Sequence, residues 1–267
     1  SAAIFLVPFG RLADIYGRKK VFFWGIIIFT AASVLKTFST SVAFLFIMQF
    51  INGIGAAMVF ATTVAILTTI YPQGQHGKIL GFNVAFAYLG LSLGPVMGGF
   101  LTQLWGWRSV LLSNAPFGIL IILALLRVRK DWAEARGESF DITGSLIYSS
   151  GLALMMYGIS RFPSISGALI SVIGVAAVVF FLIYEAHIDS PVLHVGLFKG
   201  NMIFTFSNVA ALINYSATHA VVFLLSLYLQ YVKGLKPQEA GMILFVQPLI
   251  MAIFSPIAGR LSDRFEP

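Results

Sequence analysis

The sequence predicts an all-α fold, a polytopic bundle of transmembrane helices. Three observations carry the prediction. Hydrophobic residues make up 58% of the 267 residues and charged residues 10%, against about 25% charged in ordinary soluble domains. Mean hydropathy is +0.92. The apolar residues gather in runs long enough to cross a bilayer, which takes about 20 helical residues.

The chain opens on AAIFLVPF, an apolar run too short to span and preceded by no basic stretch, so no cleavable signal pattern is visible. Spanning runs follow at Val21–Phe38, Val42–Ile70, Ile79–Leu104, Ser109–Leu126, Thr143–Ser160, Gly167–Ala186, Met202–Tyr231 and Glu239–Ala258. Short connections make successive helices antiparallel neighbours. The longest polar connection, RVRKDWAEARGESFD (Arg127–Asp141), falls midway. The last residues, GRLSDRFEP, stop in a polar loop, so the chain reads as an internal piece of a longer one.

Orientation follows from the cations. With the loop of Arg11, Arg18, Lys19 and Lys20 placed inside, twelve Lys and Arg fall at inside ends and five outside (Lys36, Arg108, Arg161, Lys233 and Lys236). This asymmetry fits the positive-inside rule. The net charge of +7 therefore reads as membrane topology rather than a nucleic-acid patch. All ten acids sit in loops or at span ends. Cysteine is absent, which removes disulfides and Cys-ligated metal. No metal-ligand cluster, nucleophile with its base, or GK[ST] phosphate loop is present, so no enzyme, cofactor or metal site is expected.

Two stretches echo each other. GRLADIYGRKK (Gly10–Lys20) and GRLSDRFEP (Gly259–Pro267) share G-R-L-x-D after a Pro-containing apolar run, which suggests a duplicated bundle. Asp14 and Asp263 lie at helix ends, where a carboxylate near an N-terminus gains about 0.3–1 kcal/mol from the dipole.

GFNVAFAYLGLSLGPVMGGF (Gly81–Phe100) sets Gly90, Gly94 and Gly98 four residues apart with Ala87 on the same face. Such small-xxx-small steps let helix backbones approach closely in a membrane. Pro95 frees the carbonyl of Leu91 and should bend the helix, eased by Gly98–Gly99.

The spacing Gly81-x8-Gly90-x3-Gly94-Pro95-x2-Gly98-Gly99 resembles the antiporter motif in the fifth helix of major facilitator superfamily exporters. Gly10, Asp14, Gly17, Arg18 and Lys19 resemble that superfamily's loop signature between helices two and three. WGWRSVLLSNAPFG (Trp105–Gly118) and SPIAGRLSDR (Ser255–Arg264) are similar to its fourteen-helix drug:proton antiporters. The resemblance implies the end of helix two to helix ten of that branch. Residues 1–126 would belong to the N-terminal six-helix bundle, 127–142 to a cytoplasmic loop, 143–186 to two additional helices, and 187–267 to the start of the C-terminal bundle. It further implies a multi-pass protein of the cell membrane that exports small organic molecules, with protons as the coupling ion and the lipid bilayer as its surroundings. Asp14 and Asp263, with Gly259 and Arg264, would form gate latches. The partner of Asp14 would lie beyond this chain and that of Asp263 near Gly77–Gly81.

One departure stands out. The family usually carries an Arg four residues before the first Gly of Q-G-x-G in its fourth helix; here QFINGIGAA puts Gln49 at that place and Asn52 where Gln is usual. Gln49, Asn52 and Phe60 share a face. So do Asn208, Tyr215 and His219 in the long helix near the C-terminus, where polar groups cannot face lipid unsatisfied. These six residues are the expected substrate cavity, set against a satisfied packing seam. Among span residues His219 reads as the deep ionisable group. Rival readings are a metabolite facilitator or symporter, a membrane scaffold or channel, and an inert fragment.

Overall fold

The computed structural model describes Ala2–Phe265; the side chains of Gln73, Pro95, Lys199, Pro237 and Gln238 lie outside the described residues. The described residues form helices joined by turns and loops, with no strand: α1 Ala2–Tyr16, α2 Arg18–Thr37, α3 Val42–Ile70, α4 His76–Trp105, α5 Trp107–Leu112, α6 Asn114–Arg127, α7 Ile142–Ser160, α8 Ile165–Glu185, α9 Gly196–Gly200, α10 Met202–Leu227, α11 Pro237–Leu244 and α12 Val246–Ser262. Eight stretches are long and apolar enough to cross a membrane, matching the eight predicted runs. Large apolar side chains stand exposed along them, Phe86 and Val172 among them, as a lipid-facing surface requires.

Two predicted spans are broken, for one reason. The run from Ser109 divides into α5 and α6, and the run from Glu239 into α11 and α12. Proline cannot donate to the carbonyl four residues earlier and its ring clashes there. Pro116 and Pro248 lie four residues after Leu112 and Leu244, the last residues of α5 and α11. Each proline falls in the first turn of the following helix, where it is tolerated. α4 shows no such break and is helical from His76 to Trp105. The bend expected at Pro95 turns on a side chain outside the described residues.

The contacts divide the chain into two compact units. One comprises the residues up to Thr69 with Arg108–Gly196, the other Ile70–Trp107 with the residues from Leu197 onward. By contacts, α4 thus groups with α10–α12, although its sequence position lies among the helices of the first unit.

In the first unit, α7 and α8 form a tight antiparallel hairpin. Gly144, Gly151 and Gly158 recur every seven residues on the buried face of α7, and Gly167, Gly174 and Phe181 do so on α8. A seven-residue repeat keeps one seam facing its partner. The clearance is that of backbone on backbone: a Cβ at Gly174 would lie 2.3 Å from Met155 N, and one at Gly158 2.4 Å from Ser171 N. Interfaces of this kind hold membrane helices together where apolar burial gives no drive. α2 and α3 meet similarly, with a Cβ at Gly55 placed 2.6 Å from Phe29 N.

Candidate functional site

The first unit gathers charge at the turn between α1 and α2. Gly17 makes this turn with φ +116°, a conformation that favours glycine. The turn leaves Arg18 inside, 6% exposed. Its guanidinium donates from Nε to Asp14 Oδ1 (2.8 Å) and from Nη1 to Thr69 Oγ1 (2.6 Å) and Glu134 Oε1 (2.7 Å), with Nη2 at 2.7 Å from Glu134 Oε2. This is the two-pronged Arg–carboxylate geometry that exceeds single contacts in strength.

Glu134 belongs to the polar connection between α6 and α7, which binds the turn along its length. Asp131 Oδ1 accepts from the Lys19 N–H (3.0 Å), the Trp132 carbonyl accepts from the Arg18 N–H (2.7 Å), and Asp14 O accepts from the Ala135 N–H (3.0 Å). Arg11 pairs with Glu138, and Lys19 Nζ donates to Val128 O. A Cβ at Gly17 would lie 2.2 Å from Asp131 Oδ2. The connection is therefore a strap laid across Gly10–Lys20. Sequence reasoning missed it, although the alternation of acids in DWAEARGE opposite Arg11 and Arg18 was the available signal. Gly10 packs loosely, its Cβ position 4.0 Å from Ala61 Cβ.

In the second unit Asp263 sits just past the end of α12 and faces the start of α4. Its Oδ1 accepts from the Gly77 N–H at 2.6 Å and its Oδ2 from the Lys78 N–H at 2.7 Å. The first N–H groups of a helix have no intrahelical partner and carry its positive dipole end. One carboxylate here satisfies two of them. The approach depends on small residues. A Cβ at Gly77 would lie 2.3 Å from Gly259 O, and one at Gly81 2.5 Å from Ser255 O. Ala85 and Ala252 continue the seam, both buried. Arg260 stacks on Phe82 at 5.9 Å from the ring centre, and Arg264 is exposed. The two G-R-L-x-D copies thus differ: Asp263 caps a helix, whereas Asp14 pairs with Arg18.

In the glycine ladder, close packing is seen at Gly81, stepping back to Gly77. A Cβ added at Gly90, Gly94 or Gly99 would meet nothing within 4 Å, and Ala87 is exposed while Gly98 is half-buried. A run of small residues marks a face that can be approached, but not which turns of it are covered.

Asn52 is buried and spends its amide on Phe29 O (2.9 Å) and Ser33 Oγ (3.0 Å). It is a polar joint between α2 and α3. Phe60 and Tyr215 are exposed, as are Asn208 and His219. Asn208 donates to Phe204 O of its own helix at 2.8 Å. Among the described residues Lys36, near the end of α2, is a buried ionisable group, as are Arg18 and Glu185 at span ends. Lys36 is 4% exposed, and its Nζ donates to Gln49 Oε1 at 2.8 Å. Its place near the end of a run made it read as an outside-facing cation.

A lipid-facing helical surface, glycine-lined helix pairs and charged clusters confined to helix ends define a multi-pass membrane protein of transporter type. A sequence profile described as Major Facilitator Superfamily matches residues 1–267, and the chain belongs to that superfamily. Among curated relatives it is 32% identical over 260 residues to the riboflavin transporter RibZ of Clostridioides difficile (strain 630), covering 96% of this chain and 56% of the relative. It is 28% identical over 268 residues to the multidrug resistance protein Stp of Mycobacterium tuberculosis (strain CDC 1551 / Oshkosh), covering 98% and 50%. It is 31% identical over 256 residues to the cephamycin export protein CmcT of Amycolatopsis lactamdurans, covering 91% and 52%. The chain spans about half the length of these relatives. The superfamily is one of transporters rather than enzymes.

Proposed function

We propose that this chain is the central part of an exporter of small organic compounds that works by alternating access with proton antiport. The observation that carries the reading is Asp263 astride the Gly77 and Lys78 N–H groups, above the Gly77/Gly81–Ser255/Gly259 seam. A carboxylate on a helix terminus is a bond that can be made and released without unfolding either helix. The sequence division into residues 1–126, 143–186 and 187–267 makes α4–α12 the meeting of the two bundles, which is where a gate belongs. Asp14, Arg18 and the strap form the corresponding cluster of the first bundle.

The exported class follows from the relatives named for drug resistance and antibiotic export. A second reading has its own support. The relative named as a riboflavin transporter shares 32% identity, so a planar heteroaromatic metabolite is the alternative cargo. Proton coupling, with Gln49 at the family's Arg position, is assigned to the neighbourhood of Lys36, whose ammonium reaches Gln49.

Vesicles carrying the full-length protein test the reading. With an imposed proton gradient, a fluorescent cationic dye and riboflavin are offered separately. Gradient-driven extrusion of the dye, lost on Asp263→Ala, is expected. Movement of riboflavin alone establishes the second reading, and movement of neither contradicts both.

A further inference from the structure

The base of the α7–α8 hairpin carries two carboxylates that the transport reading leaves unused. Asp141 is the N-cap of α7, and its Oδ1 accepts the Gly144 N–H at 2.9 Å. Glu185 ends α8, 2% exposed, and its Oε2 accepts the Leu193 N–H at 3.1 Å. Each carboxylate has one oxygen left, Asp141 Oδ2 and Glu185 Oε1. Both are sealed from solvent, and neither has a hydrogen-bond partner.

These two oxygens converge on one spot. The Cβ that Gly144 lacks would lie 2.3 Å from each, so at most 4.6 Å (2.3 + 2.3) separates them. Glycine at position 144 leaves the space they occupy. Among the described residues no cationic nitrogen is paired with either carboxylate. The other titratable groups of the surrounding elements are Tyr148 and Tyr157 on α7, Tyr184 on α8, His187, Asp189 and His194 after it, and Arg11, Asp14 and Tyr16 on α1. Arg11 is taken by Glu138, His187 Nδ1 is on Ile183 O, and Tyr148 packs its ring on Phe181.

We propose that Asp141 and Glu185 form a proton-binding site, a carboxyl–carboxylate pair holding one proton between Asp141 Oδ2 and Glu185 Oε1. Two ionised carboxylates this close and this dry repel each other, and the usual resolution is a single shared proton. That proton turns two facing acceptors into a donor and an acceptor, so both buried oxygens are satisfied at once. A hard metal ion asks for six or more oxygens, and the described residues hold no group of three or more metal-ligating side chains. The proton ties the cap of α7 to the end of α8. Through Glu185 Oε2 it also docks the segment at Leu193. The stability it gives is full at acidic pH and is lost as rising pH strips the pair.

Infrared difference spectra of the full-length protein in lipid, stepped from neutral to alkaline pH, test this. A protonated-carboxyl C=O band, shifted in heavy water, is expected at neutral pH. It should be lost in Glu185→Gln and in Asp141→Asn but kept in Asp189→Asn. No band at neutral pH, or a band surviving both variants, overturns the proposal. So does displacement of the band by concentrated sodium chloride at fixed pH, which would make the site one for a metal cation. If the variants fail to fold, the unaltered protein decides. Exchange of the Leu193 amide should accelerate at the pH where the band disappears, and indifference of that amide overturns the docking. No readout depends on transport.

Discussion

Asp263 holds two backbone N–H groups with one carboxylate, and a neutral amide in its place keeps an acceptor but loses the charge. Charge–dipole terms at a partly buried helix start are worth about 1 kcal/mol, so Asp263→Asn is expected to shift the latch toward release about fivefold. The labelling rate of a cysteine at Lys78 measures the shift; an unchanged rate would mean the charge contributes nothing. Gly17 offers a second test. Its φ of +116° and the Asp131 carboxylate 2.2 Å from a would-be Cβ leave no room for alanine. Gly17→Ala should cost about 2 kcal/mol or more, read as a lowered melting temperature. Lys36 runs the other way. The residue is 4% exposed and its ammonium reaches the neutral Gln49, with no carboxylate paired to it among the described residues. Since a buried charge without a counter-charge is unfavourable, Lys36→Met is expected to melt at or above the temperature of the unaltered protein. A clear drop would contradict that electrostatic reading.

Helices that the sequence marks by hydropathy are placed by contacts it marks only faintly. The eight spans were legible because a bilayer demands long apolar runs. The breaks before Pro116 and Pro248 were implied by proline chemistry, and both fall at the i−4 residue. The seven-residue glycine repeat of α7 stood in plain view. What could not be read was the partner of each small face. GxxxG spacing is equal at Gly77–Gly81 and at Gly90–Gly94, yet α12 covers only the first. A paired substitution checks this. Gly81→Ala must push on the Ser255 carbonyl and should destabilise, whereas Gly90→Ala meets nothing and gains up to about 1 kcal/mol of helix propensity. The reverse order of melting temperatures would refute the seam. The strap was signalled only in part: the acids of DWAEARGE mark it, but its ion pairs join residues over a hundred positions apart, such as Arg18 and Glu134, and spacing does not name such partners.

The whole molecule combines glycine-packed helix pairs with charged clusters at helix ends; on the proposed function, these clusters are reversible bonds where two bundles would part. Family and fold were legible from motif spacing because the motifs encode backbone approach and helix capping. Asp263 illustrates this, since a place near Gly77–Gly81 was what the family resemblance implied for it. Polar residues at helical spacing are less telling, because they serve equally as joints, as Asn52 does. Spin labels at Gly74 and Arg264, both exposed, bracket the Asp263 latch on a cysteine-free background. Their distance distribution in full-length protein, with and without substrate across a proton gradient, tests the latch most directly. The account predicts a short distance that gains a second, longer population during turnover and converts to it in Asp263→Ala. A single distance, unmoved while the protein transports, would contradict it.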